Sequence, residues 1–254
     1  MKNWLGAHCD EFLITSRLFL KMDWSLEREA VLHFFERIRR EYPGMRRFRR
    51  REDGALLLEE SEPQTADGRL RRWIRLEPGA MRFGYAEPPT TAAWTAFSEF
   101  LLSQVPYHLT LTDLEIDYLE LVYAFDLDYQ GNHDQLVAET LLGDSPLGAL
   151  FGREPGVRTI DCQPCLGITL TQECDLQAYV ELKSRTSTFE VRTGEYECRP
   201  LSVCLTLRRY WGFGRSAGLV EAQAELAEIA AQTACDRVVP LLVNPLAVAI
   251  ASRR

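Results

Sequence analysis

The chain of 254 residues is 46% hydrophobic and 26% charged. That is enough apolar matter for one large core or two ordinary ones, and too balanced for a disordered chain. A net charge of −8 disfavours a dedicated nucleic-acid binder, which relies on a positive field to release counterions. Seven cysteines are too sparse for a short disulfide scaffold and fit reduced thiols in a cytoplasmic protein.

Residues 1–20 mix charges with apolar side chains and do not read as a signal peptide. The apolar tail at 238–251 is too short to span a bilayer and is interrupted by Pro240, Asn244 and Pro245, so it reads as a buried packing segment and no membrane partner is expected. Charge is uneven. Residues 1–110 hold 17 Lys and Arg against 16 Asp and Glu, a net of +1, whereas residues 111–254 hold 12 against 21, a net of −9.

In chain order, residues 12–20 alternate as a strand, with Phe12, Ile14, Leu18 and Leu20 on one face. Ser25 is placed to cap a helix carrying Leu26, Val31, Phe34, Phe35 and Ile38, which Pro43-Gly44 ends. Short strands follow at 45–51, 55–60, 70–76 and 80–86, separated by Asp53-Gly54, Asp67-Gly68 and Pro78-Gly79. Thr90 or Thr91 then caps a helix bearing Trp94, Phe97, Leu101, Leu102 and Val105.

The order restarts at 114–129, a strand whose apolar parity flips at Tyr118-Leu119 and so predicts a bulge. Asn132 caps a helix to residue 142, and a short apolar piece follows at 147–151. Strands are expected at 157–170, 176–183, 189–193 and 200–210, then a helix from about 217 into the 230s. Each half, 1–110 and 111–254, reads β-α-β-β-β-α. The fold class is α+β: duplicated units forming a mainly antiparallel curved sheet with helices packed on one side.

This element order resembles the TATA-binding-protein-like fold, an architectural likeness that implies no ligand. Glu41-Tyr42-Pro43, the segment IDYLELVYAFDLD at 116–128 and the helical C-terminal region resemble a sporadically distributed family of uncharacterised bacterial proteins. That resemblance implies a bacterial origin and a fold, and no mechanism.

Four motifs invite chemistry. Gly131-Asn132-His133-Asp134 spells the GNHD of dinuclear metallophosphoesterases, but no histidine follows His133 to complete such a site, and a helix cap explains the same residues. Asp126, Asp128 and Gln130 suggest a calcium loop, whose twelfth position is Val137 where a glutamate is needed. Cys162-Gln163-Pro164-Cys165 lacks both the helix N-terminus that activates a redox thiol and a second pair of zinc ligands. Glu181-Leu182-Lys183 closing an apolar strand, with Asp161 or Asp175 upstream, resembles the Asp…ExK element of metal-dependent nucleases.

The most unusual feature is arginine. Arg46, Arg47, Arg49, Arg50 and Arg51 stand on one expected strand, and Arg69, Arg71, Arg72 and Arg75 on or beside another, with Phe48 and Trp73 interleaved. Neighbouring strands would make a cationic face; the opposing reading is a solvated face neutralised by Glu52, Asp53, Glu59, Glu60 and Glu62.

The expected function is therefore non-catalytic binding of a protein or small anionic ligand through a sheet face or the groove between halves. Arg46, Arg47, Arg49, Arg71, Arg72 and Trp73 are the candidate contacts. The alternative is a metal-dependent nuclease or phosphoesterase built on Asp161, Asp175, Glu181 and Lys183. No cofactor is expected, and alternating apolar strands are compatible with a homodimer.

Overall fold

A computed structural model describes residues 4–60, 71–151, 156–212 and 218–253. Strand β1 (Glu11–Leu20) buries Phe12, Ile14, Ser16 and Leu18 and leaves the alternate positions on the other face. Helix α1 (Arg28–Glu41) buries Val31, Phe34, Phe35 and Ile38 at helical spacing. It begins later than Ser25 suggested: the N-cap position is Glu27, without a side-chain cap. Strands β2 (Arg47–Arg50), β3 (Leu56–Glu59), β4 (Arg72–Glu77) and β5 (Ala80–Ala86) follow. Helix α2 (Thr91–His108) is capped by Thr90, whose side chain accepts the Ala93 amide at 3.1 Å.

In the second half, β6 (Ile116–Tyr129) leads through α3 (His133–Val137) into a π-wound turn, Ala138–Leu142. Then come β7 (Cys165–Thr169), β8 (Leu176–Lys183), α4 (Thr188–Thr193) and β9 (Arg199–Tyr210). Helix α5 (Leu219–Thr233) continues through a π-wound stretch, Ala234–Val243, into α6 (Asn244–Ala251). By length and composition this continuous stretch could cross a bilayer. In this fold it buries Leu226, Ala230, Ala234, Val238, Val243 and Leu246 in the core.

The nine strands of the described residues form one curved antiparallel sheet, ordered β2-β3-β4-β5-β1-β6-β9-β8-β7. From each central strand the order runs outward alike, β1 then β5, β4, β3 and β6 then β9, β8, β7. The halves share this sheet through the β1–β6 ladder, and α2 packs on α5 across the same boundary. One face carries the helices. There Phe83 stacks on Trp94 at 5.6 Å, and the Ser16 hydroxyl donates to Gln223 Oε1 at 3.1 Å, a buried polar contact between β1 and α5.

Two expectations fail locally. Residues 157–164 are not strand. Asp134 Oδ1 accepts the Cys162 amide at 2.8 Å and Asn132 Nδ2 donates to the Thr159 carbonyl at 2.8 Å, which ties the segment to α3. Residues 189–193 are helical because Ser187 and Glu190 form a reciprocal capping box and Gly194, at φ +77°, ends the turn in the left-handed region. The parity flip is real: the β1–β6 register shifts between Phe19 and Leu20, leaving Asp117 as the extra residue. Residue 70, Glu62, the Asp67-Gly68 turn, Arg69 and residue 217 lie outside the described residues.

Candidate binding face of the sheet

The register lines up the uncovered face in a cross-strand row. From β2 to β7 it reads Arg49, Leu57, Arg75, Arg82, Arg17, Glu120, Arg208, Gln177, Thr169. Five guanidiniums thus lie in one line, because each sits at the outward parity of its own alternating strand.

Glu77 is the hinge of their charge balance. Its carboxylate, 15% exposed, meets Arg75 at 2.7 Å, Arg82 at 3.2 Å and Arg17 at 3.7 Å. Asp53 takes a second contact from Arg75 at 2.5 Å, Glu120 holds Arg208 at 2.7 Å, and Glu59 meets Arg49 at 3.1 Å and Arg47 at 4.0 Å. Among the described residues six guanidiniums are therefore matched by four carboxylates in this network. Burial, and then the neighbouring Arg82 charge, push the Arg17 pKa below its ordinary value.

Aromatic rings pave the same face. Phe19 stacks on Tyr118 at 4.1 Å, Tyr118 meets Tyr210 at 5.0 Å, and the Arg17 guanidinium lies 3.7 Å from the Phe19 centroid. Arg208 sits 4.9 Å from the Tyr179 ring. Trp73 lies flat over Gly84, where a Cβ would come within 2.7 Å of the indole; Tyr179 lies likewise over Gly167.

The expected arginine cluster divides between the two faces. Arg49 is in the row and Arg47 and Trp73 share its face one register line away, but Phe48 does not interleave with Trp73: it lies on the helix face against Phe35 at 5.6 Å, since adjacent strand positions point to opposite sides. Arg72 also faces the helices, ion-paired with Glu60 and 4.8 Å from the Tyr42 ring, and is structural. Arg46 donates Nε to the Pro43 carbonyl at 2.6 Å, and exposed Arg71 uses its carbonyl to accept the Ala86 amide at 2.7 Å. Sequence reasoning passed over Arg17, Arg82 and Arg208; the signal for Arg17 and Arg82 was a lone cation within an alternating strand, whereas Arg208 stands beside Arg209 near the end of its own.

The nuclease-like residues do not converge. Asp175 binds the buried Arg209 at 2.7 Å on the helix face, whereas Glu181 pairs with Lys183 at 3.0 Å on the open face. Burial opposes the Asp175 charge, but hydrogen bonds from Thr171 and Arg209 outweigh it and hold the carboxyl below its usual range. Exposed Asp161 accepts an amide proton from Gln163 at 3.2 Å. No group of three or more metal-capable side chains forms among the described residues.

The GNHD residues are a structural pin. Asn132 caps α3, Asp134 accepts the Ser184 hydroxyl at 2.7 Å besides the Cys162 amide, and His133 Nδ1 accepts the Arg185 amide at 3.3 Å. Burial lowers the His133 pKa. In the CxxC, Cys162 is buried and Cys165 is exposed, both as free thiols.

No protein-family model matches the chain, and no curated protein matches it.

Proposed function

We propose that this protein is a non-catalytic interaction module that binds an acidic segment of a partner protein across the open face of its sheet. The observation that carries this is the in-register line Arg49, Arg75, Arg82, Arg17 and Arg208, incompletely neutralised around Glu77 and bordered by Phe19, Tyr118, Trp73 and Tyr179. A broad face of this kind suits an extended partner; guanidiniums on stacked rings supply both charge and apolar contact. The acidic C-terminal half would repel an acidic partner elsewhere and so favour this seat.

The test is fluorescence anisotropy with a labelled polyglutamate peptide. Binding should weaken as salt rises and fall about tenfold or more in Arg17→Ala/Arg82→Ala. Arg39→Ala, on the exposed surface of α1, should leave it unchanged. No binding, or equal losses in both variants, overturns the reading.

Three companion readings belong to the same proposal. The matching strand order of the halves supports an internal duplication of the TATA-binding-protein-like kind, with units at 1–110 and 111–254. Seven free cysteines support a cytoplasmic setting. The uncharged edge strand β7, with Leu166 and Ile168 exposed, supports a homodimer by edge pairing.

A further inference from the structure

A second site lies on the other side of the sheet, away from the arginine row. A cavity of about 500 Å³ opens between the start of α1, the segment at 24–26, the β2–β3 hairpin and the β4–β5 turn. Its floor is core, Val31 and Leu76, and its walls are Trp24, Leu26, Leu56 and Pro78. The rim is formed by Leu32 and Phe48, which are 46% and 47% exposed. Phe48 stands there because its parity on β2 turns it from the open face, as it does Arg50 two residues on.

The charges at this cavity are of one sign. Among the described residues Arg28 and Arg50 line it and no carboxylate does. Among the described residues neither arginine has an acidic group within ion-pair distance, unlike Arg47, Arg49, Arg72 and Arg75 on the same hairpin and its neighbour. In a chain of net charge −8, two guanidiniums over an apolar hollow select their ligand by charge as well as shape.

We propose that this cavity binds an amphiphilic carboxylate: an apolar chain laid on Trp24, Leu26, Leu56 and Phe48, with the carboxylate held by Arg28 and Arg50. Carboxylate is the match for a planar guanidinium fork, and the volume suits one medium-length chain. The site is independent of the binding face proposed above.

Isothermal titration with decanoate, decanol and decyltrimethylammonium, each kept below micelle formation, tests it on the full chain. Decanoate should bind about tenfold tighter than decanol, and the cation should not bind. Arg28→Ala/Arg50→Ala, both at exposed positions, should erase that preference while leaving decanol affinity unchanged. Phe48→Glu should reduce binding of decanoate and decanol. Quenching of intrinsic fluorescence by decanoate should diminish in Trp24→Phe while the heat signal persists. Equal affinity for the three probes, no binding of decanoate, or a preference that survives removal of both arginines overturns the proposal.

Discussion

Strands β3 and β7 hold the same rank in the sheet, each third outward from the central strand of its half, yet they live in different surroundings. β3 is flanked by β2, and Leu58 is wholly buried; β7 is an edge, and every residue of it is exposed, Leu166 by 73%. The helices that succeed the first strand of each half differ as well. Helix α1 spans fourteen residues and turns four large apolar side chains inward. Its counterpart α3 has five residues before the helix widens into a π turn, and that turn packs on α6. A matching strand order therefore does not yield equal cover: among the described residues the second half has no counterpart of β2, so its outer strand is left as an edge.

The edges differ in chemistry as well. β2 presents Arg47, Arg49 and Arg50, charges that discourage pairing with a second chain, whereas β7 has no charge at all. The sharpest way to break the comparison is by truncation. Leu58→Ala should cost about 2–5 kcal/mol in chemical denaturation, and Leu166→Ala no more than about 0.5 kcal/mol. A large loss at Leu166 would mean that β7 is covered in solution. Next in size, Asp134→Ala should cost about 1–3 kcal/mol by orphaning the Cys162 amide and the Ser184 hydroxyl, and should raise hydrogen exchange in residues 157–164 while β3 stays protected.

A smaller effect belongs to His133. Its folded pKa lies below the ordinary 6.5, so the unfolded chain binds the proton more readily. Its contribution to stability is whole above pH 6.5 and declines as pH falls toward the lowered folded value. Denaturation midpoints should therefore drop through that window, and His133→Gln should flatten the drop. The smallest expected change is at Lys183→Met, where a surface pair worth about 0.2–1 kcal/mol is lost; a larger loss would give Glu181 and Lys183 a role beyond mutual solvation.

Much of this architecture was legible because alternation and helical spacing report burial directly. β8 at 176–183 and the buried stripe of α2 follow from pattern alone, and pattern narrows the cap to Thr90 or Thr91, of which the structure takes Thr90. The segment at 189–193 misled because Phe189 and Val191 look strand-like; only the Ser187–Glu190 box tells otherwise, and it concerns polar atoms rather than hydrophobic period. Residues 157–164 misled because side chains of α3, distant in sequence, take the hydrogen bonds a strand would have made. For the candidate site, composition located arginine but not its direction. Arg17, Arg82 and Arg208 come from three strands scattered along the chain, and only strand order and register place them beside Arg75.

The β1–β6 ladder has a temporal consequence. Leu13 pairs with Ala124, so β1 cannot be enclosed until residues 116–129 have been made. At about 5–20 residues per second, the opening strand waits on the order of ten seconds beside the ribosome with one flank bare. Sheet closure is then a late event of high contact order, and nascent chains stalled before residue 116 should depend on chaperones more than those released after 129.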